Sequence, residues 1–319
     1  MSLAGAIALY YLAASSGVTP SDYIAFFAAY GMVTGAFTSL AGVVRAAAQI
    51  RPYLDMTRPI LEAEPEVAED KEILTELAGR IELSGVRFRY SEGEPYVIDG
   101  MDLTIRAGDY VAIVGKSGCG KSTLVRLLLG FEKPEKGAIY YDGKDLAGFD
   151  LRSLRRRIGA VTQDGSLFQE DTFSNITISA PHLSEADAWE AAEIAQIADD
   201  IRAMPLGMQT MISEGSGGIS GGQRQRLMIA RAVAPKPRVL IFDEATSALD
   251  NLTQKKVSQA LDALDCTRIV IAHRLSTIKN CDRILYLEGG RIVEDGTYDE
   301  LIAAGGPFAE LVERQRLDA

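Results

Sequence analysis

The sequence has few of the residues that build metal centres and nucleic-acid surfaces. It contains three cysteines and two histidines in 319 residues, and its formal charge of -11 leaves no basic surplus. Proteins that bind the phosphate backbone of nucleic acids normally carry such a surplus, so the charge argues against a nucleic-acid partner. Cys119, Cys266 and Cys281 are odd in number and lack metal-type spacing, which predicts reduced thiols in a cytoplasmic compartment.

Charged side chains are also scarce at the start of the chain, where Asp22 alone precedes Arg45 and divides two apolar runs. Residues 24–44 are 21 positions without a charge, and about 20 suffice to cross about 30 Å of hydrocarbon as a helix. Residues 3–16 are 14 positions without the basic region of a secretory signal, so this run is interpreted as the end of a longer helix. A buried helical hairpin of a soluble protein is the alternative.

The distribution of basic residues predicts the orientation of these two runs. The turn between them contains no Lys or Arg, whereas Arg45, Arg51 and Arg58 follow the second run. The positive-inside rule then places the turn outside and everything after Arg45 in the cytoplasm. Residues 51–79 are charged and contain three prolines, which indicates a solvated and partly helical linker.

The most specific motif is a glycine-rich loop that matches G-x-x-x-x-G-K-[S/T] at every position. Residues 110–114 before it read as a buried strand and residues 123–129 after it as an apolar helix, which is the context a phosphate-binding loop requires. Lys121 is expected at the β- and γ-phosphates of a nucleotide and Ser122 at Mg²⁺. The nucleotide-binding residues predicted in this segment are Gly115, Lys116, Ser117, Gly118, Cys119, Gly120, Lys121, Ser122 and Thr123.

Polar side chains follow the ends of three further predicted strands. Asp243 and Glu244 end one strand, Gln163 follows the second, and His273 follows the third. Doubly wound sheets bind ligands at the carboxyl ends of their strands, so these side chains are expected at one edge. There Asp243 would hold Mg²⁺ through water, Glu244 would polarise an attacking water, and His273 would sense the γ-phosphate. The three strands are predicted at residues 158–161, 239–244 and 268–272.

Two more features point to a nucleotide. Ser220, Gly221 and Gly222 form a turn at the start of an apolar helix, which is a second anion-binding arrangement of backbone N–H groups. Residues 80–90 alternate apolar and polar in strand fashion and predict an antiparallel edge strand. Tyr90 ends this strand where its ring could stack on adenine, although a purely structural aromatic is the alternative.

Taken in order, these motifs resemble the nucleotide-binding half of an ABC transporter, specifically a type I exporter. The resemblance covers about residues 80–319, and the signature begins with Ile219 where the family usually has Leu. Residues 58–64 and 211–215 also resemble exporters of bacteriocins or processed peptides. The family motifs correspond to the Walker A loop 115–122, the Q-loop residue Gln163, the signature 219–223, the Walker B strand 239–244, the D-loop 247–250 and the switch residue His273.

The resemblance implies an α/β fold of the P-loop NTPase type, an ABC nucleotide-binding domain with a mixed sheet and a helical subdomain, preceded by one to two transmembrane helices. Residues 1–50 would be a partial transmembrane domain, residues 51–79 a cytoplasmic linker, and residues 80–319 the nucleotide-binding domain. Such a chain would be a multi-pass protein of the cell membrane with its nucleotide-binding domain in the cytoplasm.

The resemblance also implies an ATPase that works as a head-to-tail pair of nucleotide-binding domains with ATP and Mg²⁺. ATP held by one domain would be closed over by the signature of the other, with Glu244 as general base. The implied catalytic residues are Glu244, His273 and Gln163; the implied metal ligands are Ser122, Gln163 and Asp243; and the implied nucleotide contacts outside the Walker A loop are Tyr90, Ser220, Gly221, Gly222, Gln223 and Asp250.

The expected partners are a second nucleotide-binding domain, membrane lipid and an exported amphipathic substrate such as a peptide. A homodimer is expected, with a heterodimer as the alternative. Exporters of this type carry more membrane helices than the chain holds, so it is expected to be a fragment or to need a separate membrane subunit. A soluble ABC-type ATPase acting on DNA or in translation, and a remnant that binds ATP without hydrolysing it, are the rival hypotheses.

Overall fold

The structure is a computed structural model that describes residues 3–63, 71–163, 165–212, 219–243, 249–272 and 274–317. The chain divides into two compact units, residues 1–65 and 66–319. The helices are α1 (Leu3–Ser15), α2 (Pro20–Glu62), α3 (Lys121–Leu128), α4 (Leu151–Arg155), α5 (Thr172–Thr177), α6 (Glu185–Ile194), α7 (Ala198–Ala203), α8 (Gly221–Val233), α9 (Asn251–Asp262), α10 (Leu275–Ile278), α11 (Tyr298–Ala304) and α12 (Pro307–Leu317). The strands are β1 (Ile81–Phe88), β2 (Ile98–Ile105), β3 (Tyr110–Val114), β4 (Lys136–Tyr141), β5 (Lys144–Asp145), β6 (Ile158–Val161), β7 (Val239–Asp243), β8 (Thr267–Ile271), β9 (Arg283–Glu288) and β10 (Arg291–Gly296).

The first unit consists of the helices α1 and α2. Thr19 caps α2 by accepting a hydrogen bond from the Asp22 N–H group at 3.3 Å, and Pro20 occupies the first turn, where its missing N–H group costs nothing. Helix α2 is long and apolar enough to cross a membrane, and none of its described side chains is buried within the chain. Its apolar surface is therefore available to lipid or to other helices.

Helix α2 continues well beyond the apolar run 24–44 and into the segment expected to be a linker. It has 43 residues, which correspond to about 64 Å at about 1.5 Å per residue, roughly twice the thickness of the hydrocarbon core. Pro52 and Pro59 lie inside it. They are spaced by about two helical turns, so the carbonyl groups that each leaves unpaired fall on one face, where water can satisfy them.

The second unit is built around a six-stranded sheet with the order β10-β9-β3-β8-β7-β6. Strands β9, β3, β8, β7 and β6 are parallel to one another, and β10 pairs antiparallel with β9. Every residue of β3 and β7 is buried. A parallel sheet covered on both faces requires such continuous apolar strands, which is why these two runs were predicted from sequence within one residue of their observed bounds.

A second sheet of four antiparallel strands has the order β2-β1-β4-β5. The expectation that the first strand forms an edge was wrong, because β1 lies between β2 and β4. Leu83 is opposite Leu103 on one side and opposite Ile139 on the other. Alternation along the sequence shows that one face of a strand is buried, but it contains no information about which strands pair with its two edges.

The six-stranded sheet separates two hydrophobic cores, and β3 contributes to both. Val111 and Ile113 face one core, which contains the four-stranded sheet and the apolar side of α3, including Leu124. Ala112 and Val114 face the other core, which contains α6, α8 and the C-terminal helices. Successive side chains of β3 therefore point into opposite cores. The loop that follows β3 is thus held between two packed layers.

Candidate functional site

Four neighbouring strands of the six-stranded sheet end at the same edge. Because β3, β8, β7 and β6 are adjacent and parallel, the residues that follow them lie along one line. Strand β3 leads into Gly115, β7 ends at Asp243, and β6 is followed two residues later by Gln163. Glu244 and His273, which follow β7 and β8 in sequence, lie outside the described residues.

The loop after β3 is folded around the ammonium group of Lys121. Its Nζ donates hydrogen bonds to the carbonyl oxygens of Gly115 and Lys116, both at 2.9 Å, and lies 3.8 Å from Cys119 Sγ. Gly120 has a φ angle of 106°, which favours glycine, and a Cβ atom at that position would lie 2.9 Å from the Val97 carbonyl oxygen. The loop thus needs its glycine to bring the backbone close to its neighbours.

The same loop ends at the N-terminus of α3. Gly120 is the N-cap residue and provides no side-chain cap, and the first intrahelical hydrogen bond runs from the Leu124 N–H group to the Gly120 carbonyl oxygen at 2.9 Å. The N–H groups of Lys121, Ser122 and Thr123 come before that first bond, so the helix's own hydrogen bonds do not use them. A helix N-terminus with such N–H groups and its positive dipole end is suited to an anion such as phosphate.

Tyr90 lies beside the first turn of α3. Its hydroxyl group is 3.1 Å from Thr123 Oγ1, and its ring contacts Phe88 edge to face with centroids 5.0 Å apart. Thr123 is buried, whereas 53% of Tyr90 remains exposed. The contact holds an exposed aromatic ring next to the phosphate-binding loop. The sequence predicted Tyr90 as a platform for a base, but it contained no signal that the Thr123 side chain would anchor it.

The three predicted metal ligands come from three different elements. Ser122 lies in the first turn of α3, Gln163 is exposed in the turn after β6, and Asp243 is the buried last residue of β7. In the described part of the chain no cluster of three or more His, Cys, Asp or Glu residues could hold a metal by itself. One carboxylate supplemented by neutral oxygen ligands fits Mg²⁺, which is commonly held by few protein groups together with substrate phosphates.

The signature turn opens helix α8 in the helical layer. Ser220 is the N-cap residue and forms a capping box with Gln223, in which Ser220 Oγ accepts from the Gln223 N–H group at 3.2 Å. The Gln223 side chain accepts from the Ser220 N–H group at 2.9 Å and donates to Asp200 at 2.7 Å. Both ends of the Gln223 amide are therefore engaged in supporting the turn. Ser220 uses its oxygen as acceptor in the cap, which leaves its O–H group suited to donate to an anion.

Asp250 is the N-cap residue of α9. Its Oδ1 atom accepts hydrogen bonds from the N–H groups of Leu252 and Thr253, both at 3.0 Å. Hydrogen bonding to Thr253 holds the pKa of the Asp250 carboxyl below its usual range. The structure thus gives this residue a helix-capping role that the sequence motif alone did not specify.

The geometry can be compared with known proteins. Residues 98–247 match the family model described as ABC transporter. The chain is 42% identical over 297 residues to the alpha-hemolysin translocation ATP-binding protein HlyB of Escherichia coli O157:H7, covering 92% of this chain and 42% of that protein. This chain belongs to the ABC transporter family. The predicted nucleotide-binding domain, its α/β fold class and its ATPase domain are thereby confirmed.

Two further similarities extend over most of this ABC transporter chain. It is 39% identical over 329 residues to the ATP-dependent lipid A-core flippase of Chromohalobacter salexigens, covering 100% of this chain and 56% of that protein. The solved structure of a bacterial Atm1-family ABC exporter with ATP bound is 38% identical with a TM-score of 0.77, covering 83% of this chain and 47% of that one. The chain therefore spans about half the length of the relatives it matches.

Proposed function

We propose that this chain is the ATP-hydrolysing part of an ABC exporter in the cell membrane. The observation that supports this proposal most directly is the loop folded around Lys121 at the carboxyl edge of the parallel sheet, next to the exposed ring of Tyr90. An ammonium group, uncapped helix N–H groups and an aromatic face are the groups that hold phosphates and a purine base.

The strand ends supply the groups for hydrolysis. Ser122, Asp243 and Gln163 would hold Mg²⁺, which neutralises charge on the β- and γ-phosphates of bound ATP. Glu244 would accept a proton from the attacking water, and His273 and Gln163 would orient the γ-phosphate and that water. Lys121 would bind phosphate oxygens of ATP through charge-assisted hydrogen bonds.

The partner in this proposal is a second copy of the nucleotide-binding domain. The turn of Ser220, Gly221 and Gly222 would cover the ATP held by the loop of the other copy, and Asp250 would lie at the same interface. The capping box supports this role, because its two reciprocal hydrogen bonds between Ser220 and Gln223 fix the turn. One chain carries the residues of both half-sites, namely those that would hold ATP and those that would cover it. This favours a homodimer over a heterodimer.

The membrane part of the proposal rests on α2, whose apolar surface and length suit a bilayer. Additional helices, from a longer chain or a separate subunit, would complete a multi-pass transporter. The exported substrate is proposed to be an amphipathic polypeptide, because one relative is named for the translocation of alpha-hemolysin and another for that of leukotoxin. The relative named as a lipid A-core flippase supports lipid as the second candidate.

The test is the ATPase activity of the detergent-solubilised chain as a function of its own concentration, with Glu244→Gln as the control. Turnover that rises with the square of concentration would support a site shared by two copies, while negligible turnover despite ATP binding would contradict catalysis by this chain alone. The substrate is tested in lipid vesicles by adding either an unfolded amphipathic polypeptide or lipid A. The class that stimulates ATP hydrolysis identifies the cargo.

A further inference from the structure

A polar network joins the segment that follows Gln163 to helix α8. Arg231, on the last turn of α8, donates to the carbonyl oxygens of Asn175 and Ser166, both at 2.9 Å, and to Asn175 Oδ1 at 2.7 Å. The ring of Phe168 lies against the same guanidinium group, which is 5.1 Å from the ring centroid. One arginine of α8 therefore contacts both residues 166–168 and α5.

Asn175 completes the network from the other side. It is 1% exposed, and its Oδ1 atom also accepts from the Phe168 N–H group at 2.9 Å. Its Nδ2 atom donates to the carbonyl oxygens of Phe168 and Asp171, both at 3.0 Å, with that of Glu170 at 3.3 Å. A side-chain amide has two donor hydrogens and one acceptor oxygen, and all of them are used here. The backbone of residues 168–171 is thus held by a single side chain.

Placing an arginine in this contact costs more free energy than packing the two helices would require. Burial lowers the pKa of the Arg231 guanidinium, which reflects the cost of removing the charge from water. An apolar side chain would fill such a contact between helices without that cost. Direct hydrogen bonds to backbone groups, however, fix the register of a loop against a helix, which apolar contacts do only weakly.

We propose that Arg231 and Asn175 are positioning residues that make segment 165–171 and helix α8 move as one body. The proposal rests on the proposed function, which places Gln163 at the ATP of one copy and the Ser220 turn at the ATP of the other. Segment 165–171 begins two residues after Gln163, and Ser220 begins α8. A displacement at one site is therefore transmitted to the turn that closes the other.

The test uses two variants of the network and a matched control in the full chain. Arg231→Lys keeps the charge but removes the planar group that reaches three acceptors and stacks on Phe168. Asn175→Asp keeps an acceptor for Arg231 but places a carboxylate oxygen against the backbone carbonyls, which releases the loop. The control is Arg155→Lys, because Arg155 donates to the carbonyl oxygens of Leu129 and Gly130 at 2.9 and 3.1 Å and stacks on Phe131.

In both network variants kcat is expected to fall by about tenfold or more, since small displacements of positioned groups are costly. KM for ATP is expected to stay within about twofold, because the loop 115–122 is untouched. Arg155→Lys should lower Tm by about as much as the two network variants do, while leaving kcat within about twofold of the parent. A network variant that loses the same Tm but keeps kcat would show that the contacts only pack the helical layer, and the proposal would be wrong.

Hydrogen exchange with a non-hydrolysable ATP analogue provides a readout that does not depend on turnover. In the parent, residues 165–171 and 219–233 are expected to gain protection together. In the network variants residues 115–122 should still gain protection while residues 219–233 lose it. Equal protection of residues 219–233 in the parent and both variants would overturn the proposal. Absence of protection at residues 115–122 in the parent would instead contradict the proposed binding of ATP.

Discussion

Replacing Gly115 by alanine is expected to displace the phosphate-binding loop. A Cβ atom on Gly115 would lie 2.2 Å from the Leu287 carbonyl oxygen and 2.9 Å from Cys119 Sγ. Leu287 belongs to β9, which is held between β10 and β3, so its carbonyl group cannot easily move. The loop must therefore shift by about 1 Å, and a displacement of that size at a reacting site costs on the order of 100-fold in rate.

Gly118 offers a matched comparison within the same loop. Its φ angle is +77°, but a Cβ atom there would meet nothing within 4 Å. Alanine at this position costs only backbone strain of about 1–2 kcal/mol, which corresponds to about tenfold in affinity if all of it is expressed in binding. Gly115→Ala should therefore reduce kcat/KM for ATP by about ten times more than Gly118→Ala.

The assay is kcat/KM for ATP hydrolysis together with the Kd of a fluorescent ATP analogue. The thermal midpoint of each variant shows whether the domain remains folded. Equal losses for Gly115→Ala and Gly118→Ala at equal Tm would refute the reasoning, because the contact with Leu287 would then have no consequence. A stronger effect of Gly118→Ala would mean that the mobility of the loop matters more than its close approach to β9.

Three further predictions concern the candidate site. Tyr90→Phe should leave KM for ATP within about threefold, whereas Tyr90→Ala should raise it about tenfold, since stacking of a base on an aromatic ring contributes about 1–3 kcal/mol. Glu244→Gln should bind ATP normally and lose about 10²–10⁴-fold in turnover, with nucleotide trapped in a dimer on size exclusion. Because the pKa of Asp250 is lowered, its cap stabilises α9 fully at a pH above the usual pKa of an aspartate. This stabilisation is lost as the pH falls through the lowered pKa. Asp250→Asn should therefore flatten the acid limb of a plot of Tm against pH.

One result would contradict each of these three predictions. Equal KM values for Tyr90→Phe and Tyr90→Ala would remove the stacking role. Rapid turnover by Glu244→Gln would exclude that carboxylate as the base. An acid limb unchanged by Asp250→Asn would assign the pH dependence of unfolding to other carboxyl groups.

The sequence was most informative where one local requirement determined the structure. A buried parallel strand must be apolar throughout, so β3 and β7 could be located from their runs of apolar residues. The glycine-rich loop was predictable because close backbone approach leaves room for no side chain. Once strands were assigned as parallel, their carboxyl ends had to share an edge, and this placed Gln163 and Asp243 in advance.

Features that depend on partners distant in sequence could not be read in the same way. The position of β1 between two strands required β4, which begins 48 residues after β1 ends. The length of α2 was underestimated because prolines usually end helices, whereas an exposed helix tolerates Pro52 and Pro59. The contact between Arg231 and Asn175 spans 56 positions, and neither residue lies in a recognised motif.

The hydrogen bond between Tyr90 and Thr123 has a consequence for how the two parts of the nucleotide would be held. It joins the segment that follows β1 to the helix that follows the parallel strand β3. Tyr90 lies outside residues 98–247, which match the family model, whereas Thr123 lies inside them. In the proposed function, the ring that would stack on the base and the loop that would hold the phosphates therefore come from different segments of the chain. A substitution at Tyr90, two residues after β1, would then alter the contact with the base while leaving the residues of loop 115–122 unchanged.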